Sequence, residues 1–446
     1  MMKFRTRILF PGLFGLIAVG AVIVTAVWAN QSIANKPYEA KPYMRVIEDE
    51  DTGISQLQLQ VRLFAPSDNS AGPTVALTGA IHVADKKFYA LLQTFLEAQD
   101  LIMYEGVKPS GFGNSLKRAD ANTNTVKRKQ TEMRIRFLAT VLQRLKNSET
   151  QPDNKIQNQH KNQYPPTLDQ LADEVTKITG RRVGEWVKSS EKDAWGNPLI
   201  YTIDDSGTNY QLISYGADGQ PGGEDDNADL SFADQKPLTD AETGGDPGIQ
   251  RRLAKALGLV FQLDAMNEDG SNFLNVDMSI DEIEDEIAKQ GGDASFLFSM
   301  LNGSGFMAGV MKFGLAILEK SPMMQAMAKL TLMETMKTVG EKGMMNMRGM
   351  PANMKTIFDV IVNERNQVVI DTLKDTLKED RFGPDSTIAI IYGAGHLHDL
   401  EKQLVQQCNY KPVGGFWVPA ITVDIKKSGL TTDQVKMIRS MVKMMQ

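Results

Sequence analysis

Two stretches of this 446-residue chain decide its fold, TVALTGAIH at residues 74–82 and TIAIIYGAGH at residues 387–396. Each is an apolar run that leads into Gly-x-x-His and then into a helical pattern, which predicts a strand, a tight turn and a helix. The chain has only four histidines, and His82 and His396 occupy the same position in the two copies. Glycine at a strand end lets the backbone turn sharply and points the histidine into the crevice where α/β proteins bind ligands. We therefore predict that His82 and His396 are active-site residues.

The segments beside both motifs favour an α/β domain. Alternating apolar residues predict a half-buried strand over residues 55–64, and a helix over 85–99 and the strand LIMYE at 101–105 follow it. From residue 248 the pattern is mostly helical, and its many methionines between residues 296 and 347 are typical of adaptable core packing. Residues 30–50 are expected to be a linker. A helix over 352–379, a strand over 416–423 and a terminal helix complete the chain.

Between the two motifs the character of the sequence changes. Residues 110–130 are polar and rich in Gly, Ser, Asn and Lys, so they connect structural elements rather than pack. A helix over 131–145, two hairpin-like strands near 199–201 and 210–213, and an acidic, glycine-rich segment at 216–229 follow. An insertion within an α/β domain is the simplest interpretation of this order.

The N-terminus carries a hydrophobic segment. Lys3, Arg5 and Arg7 precede an uncharged run from Ile8 to Ala29, which is long enough to cross a hydrocarbon core of about 30 Å. Basic residues before the run and acidic residues after it place the N-terminus in the cytoplasm. The sequence thus predicts a transmembrane helix or a signal peptide over 1–30. The remainder is expected to be periplasmic and anchored to the inner membrane, or secreted if the leader is cleaved. A net charge of −6 without a basic patch excludes nucleic acid as a partner.

Companions of the two histidines define the expected chemistry. Glu105 ends the strand after the His82 helix, so in a parallel sheet its side chain reaches the same edge, and Glu364 and Arg365 lie on the helix before the second motif. His82, His396 and Glu105 would suit a divalent transition metal such as Zn, Mn or Co. The same residues without a metal would serve as general base and acid. Arg365 would bind a carboxylate or stabilise an oxyanion.

These motifs resemble the TraB/TIKI (GumN-like) family. Its members carry two Gly-x-x-His motifs, a glutamate after the second core strand and a Glu-Arg pair. Here the matching positions are 79–82, Glu105, Glu364 with Arg365, and 393–396, and the likeness covers residues 55–110 and 248–425. At Asn366, directly after the pair, many members carry an acid. The resemblance implies catalytic roles for His82, Glu105, Glu364, Arg365 and His396, and the Wnt-cleaving members imply metal-dependent hydrolysis of peptides.

The inserted piece resembles the C-terminal region of the type II secretion major pseudopilin (GspG). The likeness rests on DAWGNP at 193–198 and SYGADGQPGGEDDNAD at 214–229, and extends over roughly 130–232. It implies a calcium site in the acidic loop, where glycines let backbone carbonyls turn toward the ion and carboxylates supply further oxygens. The calcium ligands expected from the resemblance are Asp218, Asp225, Asp226 and Asp229. The preceding helix carries Arg134, Arg136 and Arg144, so it is unsuited to a membrane or a pilus core.

Together these observations predict an α/β (α+β) TraB/TIKI-like core with a large helical region, interrupted by a small α+β pseudopilin-like domain. The expected segments are a leader over 1–30, the first part of the core over 50–112, the insertion over 130–232 and the second part of the core over 248–446. The expected function is metal-dependent cleavage of peptide or protein substrates outside the cytoplasm. Three alternatives stay open: a peptide- or cofactor-binding protein without turnover, an accessory protein that binds secretion-system components, and a metal-free, histidine-based esterase.

Overall fold

The computed structural model describes the chain from residue 42 to residue 444 with internal gaps. The described ranges are 42–68, 71–112, 123–147, 163–179, 181–234, 236–238, 248–268, 270–292, 318, 321–342 and 357–444. The predicted N-terminal hydrophobic segment and the methionines at 300, 307 and 311 lie outside these residues. Within the described ranges, every helix is too short or too polar to cross a membrane.

Strands and helices alternate along much of the chain. The strands are β1 (Met44–Asp49), β2 (Ile54–Pro66), β3 (Thr74–Ala80), β4 (Val83–Ala84), β5 (Leu101–Tyr104), β6 (Ile200–Ile203), β7 (Tyr210–Ser214), β8 (Leu230–Ser231), β9 (Val260–Phe261), β10 (Phe273–Asn275), β11 (Thr387–Gly393) and β12 (Tyr410–Asp424). The helices are α1 (Lys86–Glu97), α2 (Asn124–Asn147), α3 (Leu168–Thr179), α4 (Arg181–Ser189), α5 (Gly248–Ala256), α6 (Gln262–Ala265), α7 (Ile280–Lys289), α8 (Pro322–Lys342), α9 (Arg365–Thr376), α10 (Leu397–Cys408), α11 (Ile425–Ser428) and α12 (Thr432–Met444). The expected mixture of helices and strands is confirmed.

A mixed seven-stranded sheet forms the centre of the molecule. Its order is β1-β2-β3-β11-β5-β10, and β12 also pairs with β2, outside this path. The strands β3, β11, β5 and β10 run parallel, whereas β1, β2 and β12 pair antiparallel. The two strands that carry the Gly-x-x-His motifs are therefore direct neighbours, although more than 300 residues separate them in the chain. Their carboxyl ends meet at one edge of the sheet, as parallel pairing requires.

Packing covers both faces of the central strands. In β5, Ile102 and Tyr104 face one core, and Leu101 and Met103 face the other. Because both faces are buried, β5 and β11 read as continuous apolar runs instead of alternating ones. Helix α1 packs on the first face through residues that include Phe88. Helices α9 and α10 cover the second face.

Residues 124–234, here called the inserted module, have a sheet and a core of their own. Strands β6, β7 and β8 form an antiparallel sheet, which includes the predicted hairpin. Helices α2, α3 and α4 pack on it around buried residues such as Leu138 and Leu171. The seven-stranded sheet takes strands from before and after this module but none from within it. The remainder of the described chain is called the core domain below.

Strands β1 and β12 differ from the sequence-based expectation. The linker predicted for residues 30–50 contains β1, which pairs with β2 along its whole length. Most of its side chains are exposed, so the strand lacks the apolar alternation that would reveal it. Strand β12 begins at Tyr410, six residues before the predicted start. Pro412 and Gly414 lie at an irregularity in its pairing with β2, and such residues normally indicate a turn.

Candidate functional site

The candidate site lies where β3, β11 and β5 end. In the register of the sheet, Gly393 of β11 lies opposite Ala80 of β3, and Ile391 lies opposite Tyr104 of β5. Glu105 follows Tyr104 directly, so its carboxylate and the imidazole of His396 emerge at the same edge. The structure thus brings these two side chains together at one edge of the sheet.

Arg365 is the buried centre of this cluster. Its guanidinium donates from Nε to Asp277 Oδ1 at 2.8 Å and from Nη2 to Asp277 Oδ2 at 2.7 Å. Nη2 also donates to Glu105 Oε1 at 2.7 Å. A π turn over Val360–Glu364 precedes Arg365, and such turns often occur at functional sites. Two carboxylates thus hold one guanidinium in a fixed orientation, and charged partners make each of these hydrogen bonds strong.

Asp277 is a site residue that the sequence did not reveal. It follows the short strand β10, which is parallel to β5, and its side chain is fully buried. The backbone amides of Gly106 and Met278 donate to its carboxylate, at 3.0 and 2.8 Å. Its position at the end of one more parallel strand is the signal that would have identified it. The backbone donors and Arg365 together compensate for the burial of its charge.

Glu105 lies between a guanidinium and a backbone amide. Oε1 accepts from Arg365, and Oε2 accepts from the amide of Gly393. Burial by itself would raise the pKa of Glu105, but Arg365, His396 and the Gly393 amide lower it to about 2, so it is a carboxylate at neutral pH. A Cβ atom at residue 393 would lie 3.1 Å from Glu105 Oε2. The glycine of the second motif therefore allows the carboxylate to approach the strand end closely.

Asn366 determines which nitrogen of His396 carries the proton. The amide nitrogen of Asn366 donates to the carbonyl of His396 at 3.1 Å and to Asp399 at 3.0 Å. Its oxygen therefore faces His396 Nδ1, 2.8 Å away, and accepts a hydrogen bond from it. This assignment leaves a lone pair on Nε2. Asn366 thereby orients the imidazole through its side chain.

His396 is a neutral base that faces Glu105. Burial lowers the pKa of His396 to about 4, although Glu105 opposes the change. Nε2 lies 3.9 Å from Glu105 Oε1. Two hydrogen-bond acceptors therefore face each other across a gap, and this gap suits a shared hydrogen-bond donor or a cation.

His82 has different surroundings from His396. Its side chain is exposed, and it lies between β3 and β4. The imidazole is close enough to contribute to the lowered pKa of Glu105, so it borders the cluster without being enclosed by it. The glycine of the first motif also has a different role. A Cβ atom at Gly79 would lie 3.1 Å from Leu397, so this glycine lets helix α10 pack closely against β3.

Glu364 is half-buried at the last position of the π turn. The hydrogen bonds that organise the cluster come from the next two residues, Arg365 and Asn366.

With respect to metals, no group of three or more His, Cys, Asp and Glu side chains within the described ranges is arranged to hold an ion.

The acidic loop of the inserted module folds tightly on itself. Gly216, Gly219, Gly222 and Gly223 all have positive φ, and a Cβ atom at Gly216 or Gly223 would lie within 2.8 Å of the backbone of Asn227. The four acidic side chains that were expected to bind calcium lie in this loop. Asp218 and Asp229 accept backbone hydrogen bonds from Gln220 and Gly222, Asp226 accepts from Asn124, and Asp225 adopts a φ of 54°. The acidic loop therefore offers carboxylate and carbonyl oxygens, which are the ligands that calcium prefers.

Comparison with known families assigns the inserted module. A family model described as Type II secretion system (T2SS), protein G matches residues 125–233. The match spans α2 to β8, with the acidic loop inside it, and agrees with the likeness expected over 130–232. No curated protein matches the chain, and no solved structure matches it.

Proposed function

We propose that this protein is a hydrolase of the TraB/TIKI type that cleaves peptide bonds outside the cytoplasm. The observation that carries the proposal is the gap between His396 Nε2 and Glu105 Oε1, where a neutral base and a carboxylate face each other at 3.9 Å. A water molecule in this gap would donate one hydrogen to the imidazole and lie within reach of the carboxylate. General base assistance of this kind contributes about 10²–10⁴-fold to a reaction rate.

Each neighbour of this pair has a distinct role in the proposed reaction. Asn366 holds the imidazole in the tautomer that leaves Nε2 free to accept a proton. Arg365 and the Gly393 amide hold the Glu105 carboxylate ionised and in place. Asp277 in turn fixes Arg365. Arg365 is therefore a positioning residue for Glu105, and His82 supplies a second imidazole at the exposed side of the site.

The donors are of the chemical type that a divalent transition metal accepts, but in this structure the side chains are not arranged around one. Binding of Mn, Co or Zn would require His396 Nε2, Glu105 and the imidazole of His82 to move closer together, and all three ions accept nitrogen and carboxylate ligands. Such an ion, when bound, polarises a carbonyl group and lowers the pKa of a coordinated water. The esterase alternative uses the same pair without a metal, and the lone pair on Nε2 favours it equally. Metal dependence of turnover separates the two.

The inserted module is proposed to bind calcium and to connect the enzyme with secretion. Asp218 and Asp225 are the first candidates for side-chain ligands, with Asp226 and Asp229 beside them. The family match over residues 125–233 supports a role related to type II secretion, and its components are the expected partners. An accessory protein without turnover is the second candidate function, and this match favours it. The uncharged run from Ile8 to Ala29 supports attachment to the inner membrane.

The experiment uses the full-length chain in detergent and a pool of internally quenched fluorogenic peptides. Hydrolysis is measured with chelator and with added Mn²⁺, Co²⁺ or Zn²⁺, for the natural chain and for His396→Gln and Glu105→Gln. His398→Gln is the matched control, because His398 lies two residues from His396 but is exposed. We expect turnover that both site variants lose and the control keeps. A natural chain that cleaves no peptide under any of these conditions would refute the hydrolase and favour the accessory role.

A further inference from the structure

The inserted module reaches the candidate site through one side chain. Arg182, in helix α4, donates from Nη1 to Glu268 Oε2 of the core domain at 2.8 Å. The same nitrogen lies 3.2 Å from the position that a Cβ atom of Gly106 would occupy, and Gly106 directly follows Glu105. The module therefore places a cation beside Gly106, the residue that directly follows the proposed catalytic carboxylate Glu105. The resemblance to either family assigns no role to this residue.

The Arg182 guanidinium is preorganised for an anion. Its Cζ atom lies over the ring of Trp186, 5.5 Å from the ring centroid. One of its N–H groups donates to Glu268. The Arg182 side chain is 28% exposed, so solvent or a ligand has access to it, whereas that of Glu268 is 14% exposed. Guanidinium groups recognise carboxylates through paired donors, and a contact with an aromatic ring reduces the freedom that is lost on binding. Glu268 takes one donor of the guanidinium, and a carboxylate from a ligand would use the others.

Tyr104 supplies a second donor beside Arg182. Its ring and the Arg182 guanidinium both lie against Gly106, since a Cβ atom there would be 3.5 Å from the Tyr104 ring and 3.2 Å from Arg182 Nη1. Burial raises the pKa of Tyr104 to about 12, so its hydroxyl keeps its proton at neutral pH and can act as a donor. Tyr104 also lines a small cavity together with Glu105 and Glu268, which connects this donor to the site.

We propose that Arg182 is a specificity residue that binds a carboxylate of the substrate, assisted by the hydroxyl of Tyr104. The substrate class is a peptide with an acidic side chain or a free carboxyl group close to the bond that reacts. The inserted module is then one wall of the substrate-binding site as well as a separate domain. The position of the reacting bond rests on the proposed function, whereas recognition of the carboxylate does not.

The test compares two peptides that differ in one charge, acetyl-Ala-Glu-Ala-Ala-amide and acetyl-Ala-Gln-Ala-Ala-amide. Their affinities for the full-length chain are measured by isothermal titration calorimetry, which reports binding whether or not either peptide is cleaved. We expect the natural chain to bind the glutamate peptide about tenfold more tightly, as an additional charge-assisted pair would produce. We expect Arg182→Glu to reverse the preference and Arg182→Lys to retain part of it, since lysine keeps the charge but not the paired donors.

Lys129→Glu is the matched control. Lys129 forms another ion pair between the module and the core domain, with Asp285 at 3.1 Å, and both side chains are about half exposed. Like Arg182→Glu, this variant replaces a cation with a carboxylate and removes an ion pair between the module and the core domain. We expect it to keep the preference for the glutamate peptide. Equal affinity for the two peptides, binding of neither, or the same loss in Lys129→Glu would overturn the proposal. Absence of cleavage with a retained preference would refute only the hydrolase.

Discussion

The two Gly-x-x-His motifs look alike in sequence, yet their histidines have opposite environments. His396 is buried, its tautomer is determined by Asn366, and its ring faces Glu105. His82 is exposed at the border of the same cluster. The glycines differ as well, because Gly393 makes room for a carboxylate and Gly79 makes room for a leucine. Similar local sequence thus ends two neighbouring parallel strands, whereas the rest of the fold decides what each histidine does.

Replacing each histidine separately gives the largest expected difference between the two motifs. We expect His396→Gln to lower kcat by about 10³-fold, because it removes the proposed general base. His82→Gln should lower it by about tenfold, since its imidazole lies at the margin of the cluster. Steady-state hydrolysis of a fluorogenic peptide measures both. Equal losses in the two variants would show that the histidines act as an equivalent pair.

Acid should destabilise the protein partly through His396. The folded pKa of about 4 lies below the ordinary value of 6.5, so between these pH values the unfolded chain binds a proton that the folded chain does not. Stability contributed by this group is therefore complete above pH 6.5 and is lost as the pH falls toward 4, by up to about 3 kcal/mol. Urea unfolding at several pH values in the presence of a chelator measures the slope. His396→Gln should unfold with a shallower dependence on pH over this window, and an unchanged slope would contradict the assignment.

Asn366 sharpens the comparison, because its side chain orients only the buried histidine. We expect Asn366→Ala to lower kcat by about 10- to 100-fold with little change in KM, because the imidazole loses the partner that determines its tautomer. Asn366→Asp should retain more activity than Asn366→Ala, since a carboxylate also accepts from Nδ1. If Asn366 only supported the local structure, both substitutions would lower kcat to the same extent. Thermal unfolding of both variants provides the control for folding.

Replacing Gly79 should affect mainly stability, whereas replacing Gly393 should affect both stability and activity. Gly79→Ala places a methyl group 3.1 Å from Leu397 and 3.2 Å from Leu59, so we expect a loss of about 1 kcal/mol in unfolding free energy with kcat nearly unchanged. Gly393→Ala pushes on the Glu105 carboxylate and should lower kcat by about tenfold at a similar cost in stability. Denaturant unfolding and peptide hydrolysis, measured together, distinguish the two. If Gly79→Ala reduced activity as much as Gly393→Ala, the first glycine would also belong to the site.

Calcium is expected to have the smallest effect, and only on the inserted module. An ion held by the acidic loop stabilises the folded state in proportion to its binding, so a chelator should lower the melting temperature of this module by a few degrees. Peptide hydrolysis should change little when calcium alone is removed and the transition metal is restored. Asp218→Asn with Asp225→Asn should abolish the calcium-dependent shift. A shift that persists in this variant would place the ion elsewhere.

Much of the fold was predictable because short-range patterns specify it. Both strand-turn-helix units, the strand before Glu105 and the hairpin of the inserted module form where apolar runs and turn residues indicate them. Strand β1 was missed, since an edge strand with mostly exposed side chains has no apolar alternation. The early part of β12 was missed because Gly415 lies against the backbone of Val61, a close approach that depends on the neighbouring strand.

In the candidate site, too, some features were predictable from the sequence and others depend on the tertiary structure. The residue order alone identified His82, Glu105, Glu364, Arg365 and His396 as candidates, and the acidic glycine loop identified a pseudopilin-like module. Only the tertiary structure decided that Asp277 holds Arg365, that Asn366 orients His396 and that Arg182 reaches the site from another domain. The physical reason is distance along the chain. Arg365 meets Asp277 across 88 residues and Glu105 across 260, and no local pattern encodes contacts that packing of separate elements creates.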